Sequence, residues 1–448
     1  MRLSSLAGNP LFQITTAVML ISCPLWYNGC PLFYPDSIGY IFWGMKGEIV
    51  PERVSTYALF INLTSRGGNI WLPVLVQSAL LAVSLRFLWF RILGILNPAF
   101  FFLACFLLGW ASPLGWTSAM LMPDIFCVLS SLYLLVFMEF YSDLKWWEKV
   151  TAAVLFVFFS LFHIGIFPIN LLILTVYGLM FLFRRKLKSR AMPFILALAL
   201  TFFSLAGIGF VHKLISGQFF TSKTSGAFLV ARFAETGILS QYLNRHCGDN
   251  SNPLCKYRSD FPMQAEVFLW KPDSPLNKEI GLYDPKGVLS EVVNGVFSDP
   301  VLLSKFAISG LASGLKQALL LDLGDGLGPF DDIPQLRIFT ANASDYLGSK
   351  QQGGIDFQHV NFWCRAFLAF LFLLALRYKA FFNLSKPMEK LGLFIIILLI
   401  SNALINGALS TPLNRYQVRV FWLVYLWLFA ALYPSVKVYF STSAENKK

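Results

Sequence analysis

Met192-Pro-Phe-Ile-Leu-Ala-Leu-Ala-Leu-Thr-Phe-Phe-Ser-Leu-Ala-Gly-Ile-Gly-Phe-Val-His212 runs for 21 residues without an Asp, Glu, Lys or Arg. A helix of that length covers about 30 Å, the thickness of bilayer hydrocarbon. Nine similar runs fall near 12–32, 70–90, 94–110, 123–141, 150–163, 166–183, 361–376, 391–409 and 420–434. The whole chain has the same character. Of its 448 residues, 56% are hydrophobic and 13% charged, about half the charged fraction of a soluble domain. The sequence therefore predicts an all-α polytopic membrane protein with about ten transmembrane helices. Its 45 Phe suit lipid-facing helices and grooves for apolar chains.

The net charge of +12 does not signal nucleic acid, because the basic residues lie mainly in short loops, where they set orientation. With the N-terminus inside, 17 fall in inner segments, densest over residues 184–190, and five in short outer ones (Lys46, Arg53, Arg66, Arg415 and Arg419). Both termini are expected in the cytoplasm. Residues 11–22 lack a small-residue cleavage site and read as the first span, not a leader.

Three parts emerge: 1–212, an N-terminal transmembrane module of about seven helices; 213–360, a mixed and mainly helical outer domain; and 361–448, about three more helices with a cytoplasmic tail. The first outer loop predicts two short helices. One follows Asp36; the other, near 51–64, opens at Pro51 and carries Tyr57, Phe60, Ile61 and Leu63 on an apolar face, as an interfacial helix does. In the outer domain, 226–245, 287–298 and 301–322 read as helices. Lys305 and Lys316 make crossing costly for the last, which is expected in the interface or over a groove. Residues 324–329, Gly-Asp-Gly-Leu-Gly-Pro, read as a flexible loop. Cys247 and Cys255 flank a turn-rich stretch on the outer side and are expected to form a disulfide. Cys23, Cys105, Cys127 and Cys364 read as buried small hydrophobes.

Two acidic motifs stand at outer ends of spans: Tyr34-Pro35-Asp36-Ser37 and Met122-Pro123-Asp124. Read singly, each acid caps a helix. Read as a pair on one face, they mark a shared site, since a carboxylate beside lipid is costly. Arg53, Arg415 and Arg419 face them, and guanidinium groups grip phosphate oxygens bidentately. Snorkelling to headgroups is the alternative. His163, beside Gly165 and Pro168, reads as an acid/base group or as a hydrogen-bonded helix-end histidine. His212, His246 and His359 show no partner pattern.

In layout, the chain resembles the polytopic glycosyltransferases of the C superfamily, which use polyprenyl-phosphate sugars. Tyr34-Pro35-Asp36-Ser37-Ile38-Gly39-Tyr40 looks like the family's first motif, Pro123-Asp124 like its second acidic motif, and Asn414-Arg415-Tyr416 like its late outer-loop Arg-Tyr. Arg53-Val54-Ser55-Thr56-Tyr57 keeps the Arg and Tyr of a first-loop pattern but lacks its Pro. The resemblance implies a bacterial inner-membrane enzyme, its 213–360 domain periplasmic. It would move a sugar from an undecaprenyl-phosphate donor to an envelope glycan, lipid or protein. Asp36 would be the base on the acceptor hydroxyl, with Asp124 orienting the acceptor. Arg415 would stabilise the lipid phosphate, with Arg53 or Arg419 assisting, and Tyr40, Tyr57, His163 and Tyr416 would support the site. The cofactor stays open, a divalent cation held by Asp36 and Asp124 being one option. The rival readings are a transporter or flippase of a lipid-linked saccharide, which predicts charge at mid-depth and repeat symmetry, and a non-catalytic envelope assembly factor.

Overall fold

Many helices open on an Asn, Ser or Asp followed at once by Pro. Asn9, Asn97, Ser112 and Asp299 each accept a hydrogen bond from a backbone N–H of the following turn, and Pro10, Pro98, Pro113 and Pro300 take the first helical position. This local chemistry sets where the elements begin in the computed structural model, which describes residues 8–50, 52–185, 187–248, 252–330 and 343–435. The described residues are helical apart from turns, loops and one isolated parallel β-bridge, Leu32–Met120. Pro51, and the basic residues Arg2, Lys186, Lys437, Lys447 and Lys448 that entered the orientation argument, lie outside them, as do both termini.

All ten apolar runs are helical over most of their length. Among the described residues, seven helices are long and apolar enough to cross a membrane. They are Trp71–Ile92, Asp124–Asp143, Ile166–Phe183, Ser189–Ser216, Phe357–Arg377, Lys386–Leu409 and Asn414–Ser435. The other three runs are interrupted or short. The first breaks at Ser22 into Pro10–Ile21 and Cys23–Asn28. The third forms the 14-residue helix Pro98–Ala111, and a 76° bend leads from it into Pro113–Ala119, the pair making at most an eighth span. The fifth lies in the 15-residue helix Trp146–Ser160, about 22 Å long and short of a full crossing.

Asp124–Leu135 is buried along its whole length, packed by Trp146–Ser160 and Asn414–Ala431. One end of the bundle gathers the basic loops. There Arg91 pairs with Glu148 at 2.7 Å, Lys390 with Glu139 at 3.5 Å, and Arg190 donates to the Met138 carbonyl. The acidic motifs stand at the other end.

The region after Ser216 has its own apolar core, centred on Val230, Phe233, Leu239, Leu243 and Phe268. Four expectations need correction. Residues 226–245 form two helices, Ser225–Glu235 and Ile238–His246, parted by Gly237 at φ 75°, a left-handed conformation that breaks the helix. The first-loop helix is Ser55–Ser65, and Tyr57, Phe60 and Ile61 are buried in the protein core, not turned to lipid. The helix expected over 301–322 is Pro300–Ala318, and it packs along Lys386–Leu409 through Gly310, Gly314 and Gly407. A Cβ on Gly407 would lie 2.5 Å from the Gly314 nitrogen, so only glycine permits this crossing. The 324–329 loop is tied down, with Asp325 bonded to Asn414 and the Gly328 carbonyl to Gln351. Cys247 and Cys255 are joined by a disulfide, Cα atoms 5.6 Å apart; Cys105, Cys127 and Cys364 are buried and Cys23 partly so.

Candidate functional site

The parallel bridge places the two acidic motifs side by side. The Leu32 N–H donates to the Ala119 carbonyl and the Leu121 N–H to the Leu32 carbonyl, each at 2.9 Å. Asp36 and Asp124 each follow the paired residues, Leu32 and Met120, by four positions, so the register that joins the strands also aligns the acids. Gln77 fixes the Met120 side of the bridge by donating to the carbonyls of Ser118, in the helix Pro113–Ala119, and Met120 at 2.7 and 2.6 Å. Beyond the bridge the chain turns into helices at Pro35 and Asp124.

Neither acid caps its helix through its side chain. Each carboxylate turns to guanidinium groups instead. Arg53 donates to both oxygens of Asp36, at 2.9 and 3.3 Å. Arg419 donates to Asp124 Oδ1 at 3.2 Å and to the side-chain oxygens of Asn402 and Asn406, each at 3.3 Å. Arg415 stands one turn before Arg419 on the same helix face. Its Nη1 is 3.6 Å from Asp36 Oδ2 and its Nε 3.8 Å from Asp124 Oδ1, too far for hydrogen bonds. Both nitrogens are buried without a partner, as are Asp124 Oδ2 and Arg419 Nε. The Arg415 side chain is 8% exposed, and its guanidinium carbon lies 3.9 Å from the Tyr34 ring centre. Three guanidiniums thus stand against the carboxylates of Asp36 and Asp124, and Glu52 adds a third acid at the adjoining cavity.

A cavity of about 380 Å³ opens onto this cluster. Asp36, Glu52, Arg53, Arg415, Tyr416, His163 and Tyr40 line its polar side. Phe162, Phe167, Ile405 and Leu409 line an apolar side between two span ends, and Ser222, Thr224 and Phe228 reach it from the region after Ser216. Tyr57 lies behind Tyr40, ring centres 5.0 Å apart, and its hydroxyl donates to Gln77. His163 sits in the turn between Trp146–Ser160 and Ile166–Phe183, where its Nδ1 accepts the Gly165 N–H at 3.0 Å. Burial, and after it the charge of Arg419, push its pKa down to about 3, so the imidazole is neutral at physiological pH.

No family model, curated protein or solved structure matches the chain. The geometry must carry the argument by itself.

Of the residues singled out in the sequence, Asp36, Arg53, Arg415, Tyr40, Tyr416 and His163 meet at the cavity. Asp124, Arg419 and Tyr57 stand immediately behind it. Arg419, only 1% exposed and already engaged by Asp124, is placed to hold that acid rather than to grip a phosphate. Lys46 is turned onto the Phe42 ring and Arg66 ends the Ser55–Ser65 helix; neither lines the cavity. Cys247 and Cys255 belong to the separate core. Sequence reading passed over Asn402 and Asn406. Their signal is present, since two amides four residues apart in an apolar span need an internal partner. It also missed His212, whose Nε2 accepts the Ser55 N–H at 3.1 Å and whose Nδ1 meets the Phe220 carbonyl at 2.8 Å.

The donor set does not fit a divalent cation. Among the described residues no three His, Cys, Asp or Glu side chains converge on a metal position, and both acids already face arginines. A cluster of arginines in which Arg415 meets its acids only at 3.6 and 3.8 Å, without hydrogen bonds from Nε or Nη1, could exchange those long ion pairs for an anion with several oxygens.

Proposed function

We propose that this chain is a membrane glycosyltransferase that moves a sugar from a polyprenyl-phosphate donor to a hydroxyl acceptor. The observation that carries the reading is Arg415: a guanidinium held 3.6 and 3.8 Å from Asp36 and Asp124 without a hydrogen bond from Nε or Nη1, on a cavity that is charged on one side and apolar on the other. A lipid phosphate matches both sides, with its oxygens on Arg415 and its hydrocarbon along Phe167 and Leu409. In the reaction the acceptor oxygen bonds to the anomeric carbon, and the bond from that carbon to the phosphate oxygen breaks. The leaving phosphate keeps the electron pair, stabilised by Arg415, and the acceptor proton passes to Asp36. Arg53 holds Asp36 in place. Arg419, with Asn402 and Asn406, holds Asp124, which orients the acceptor. Because phosphate leaves readily, a strong general acid is unnecessary. The basic loops at the opposite end of the bundle support a site on the outer face of a bacterial inner membrane, with an envelope glycan, lipid or protein as acceptor.

The second reading is a carrier of lipid-linked saccharides, which expects charge at mid-depth. The Asp124–Arg419 pair is buried but lies at the ends of two spans. Glycan analysis of the envelope, with and without the gene, separates the two. The enzyme reading expects an altered glycan on deletion that wild type restores. It expects Asp36→Asn to transfer about 10²-fold more slowly or worse, while purified protein still binds undecaprenyl phosphate. Full activity in Asp36→Asn would sink the base assignment. Translocation of a lipid-linked saccharide across proteoliposomes, without transfer, would select the carrier.

A further inference from the structure

Arg415 is aimed without a hydrogen bond from its own Nε or Nη1. Long ion pairs to Asp36 and Asp124, at 3.6 and 3.8 Å, act on it, and two further restraints are the chain that carries it and the ring on its face. Both trace to the segment 317–326. Gln317 donates to the Leu413 carbonyl at 2.8 Å and accepts the Leu413 N–H at 2.9 Å. The Asp322 N–H donates to the Asn414 side-chain oxygen at 3.0 Å. Asp325 then accepts the Asn414 N–H at 2.8 Å and its side-chain amide at 3.2 Å. These five bonds fix the two residues that precede Arg415, at a helix start whose first N–H groups have no partner within the helix. The next residue, Gly326, at φ 67°, presses on Tyr34, and a Cβ there would overlap the Tyr34 ring. Tyr34 in turn lies on the Arg415 guanidinium.

We propose that this segment is the seat of Arg415: Asp325 sets the helix start that aims the guanidinium, and Gly326 leaves Tyr34 the space to lie on it. Asp325, Gly326 and Tyr34 are positioning residues for the anion site. That they serve a lipid phosphate rests on the glycosyltransferase reading; that they hold Arg415 does not. The arrangement explains why a glycine-rich loop distant in sequence from both acidic motifs is packed into the site. It also gives Arg415 a restraint beyond its long ion pairs: the aromatic face and the helix start hold it while Nε and Nη1 make no hydrogen bond.

The test uses the full chain in lipid nanodiscs, with two readouts. The first is the rate at which phenylglyoxal modifies Arg415, followed by peptide mass spectrometry, with the exposed Arg377 as internal control. The second is binding of undecaprenyl phosphate by native mass spectrometry. Gly326→Ala and Asp325→Ala are expected to make Arg415 react several-fold faster and leave Arg377 unchanged. Asp325→Asn, which keeps an acceptor for the Asn414 N–H, and Tyr34→Phe, which keeps the ring, are expected to protect Arg415 as wild type does. Tyr34→Ala is expected to weaken undecaprenyl phosphate binding about tenfold, the effect of losing one desolvated cation–π contact. Adding Gly326→Ala to Tyr34→Ala should then weaken it little further, because both act on the same ring. Unchanged reactivity of Arg415 in both Gly326→Ala and Asp325→Ala overturns the proposal whatever the lipid does. Raised reactivity, together with undecaprenyl phosphate binding indifferent to Arg415→Ala, upholds the hold on Arg415 and overturns the phosphate reading.

Discussion

Asp124 and Arg419 are each 1% exposed and lie 3.2 Å apart, sharing a buried layer with Asn402 and Asn406. Removing one charge from such a pair strands the other away from water, and that cost usually exceeds what the intact pair contributes. Arg419→Met should therefore destabilise the protein, by less than the roughly 3–5 kcal/mol of an isolated pair because Arg415 still stands 3.8 Å from Asp124, while Asp124→Asn combined with Arg419→Met should recover much of the loss. Thermal unfolding in one detergent, run as a double-mutant cycle, measures this directly. Additive losses would show that the two side chains do not depend on each other. Asp36 differs from Asp124 because its pair with Arg53 lies at the cavity wall, 18% and 24% exposed. Its substitution is expected to show in activity before stability. Both acids were legible in the sequence as polar residues at the outer ends of spans. That neither caps its helix was not, because cap and ion pair share the same Pro-Asp spelling.

At the scale of elements, turn chemistry decides more than apolar content does. Gly237 divides one expected helix into two, Ser112-Pro113 bends an apolar run, and three glycines bring Pro300–Ala318 against Lys386–Leu409. The region after Ser216 is small, rich in short helices, and stapled between Cys247 and Cys255, eight residues apart. Closing so short a loop restricts the unfolded chain only moderately. Replacing both cysteines with serine should lower the stability of this region by about 2–3 kcal/mol. The expected signature is faster proteolysis within 225–306, with unfolding of the bundle unchanged, since the two cores are distinct. Equal proteolysis in the oxidised, reduced and doubly substituted proteins would remove the staple from the account.

For the whole molecule, the basic loops and the site occupy opposite ends of one helical bundle. The bias of basic residues then expects the site to face the outside. In intact spheroplasts, a membrane-impermeant thiol reagent should label Asp273→Cys at once and Arg185→Cys only after permeabilisation; both positions are exposed. The reverse pattern would invert the molecule and place the cavity toward the cytoplasm, where an undecaprenyl-phosphate donor of the outer face does not reach it.

Hydropathy and turn residues were enough to read a helical membrane protein, the approximate places of its apolar runs and the two acidic motifs. These are local properties, set within a few residues by desolvation of the backbone and by the first turn of each helix. Tertiary structure alone decided the rest. The Leu32–Met120 bridge that aligns Asp36 with Asp124 joins segments 88 positions apart, and the contact between Arg419 and Asp124 spans 295. The hold of Asp325 on Asn414 and of Gly326 on Tyr34 depends on how a distant loop packs against two helix starts. Such contacts come from register and side-chain shape between elements. One sequence, read in order, carries the parts of the site but not their distances.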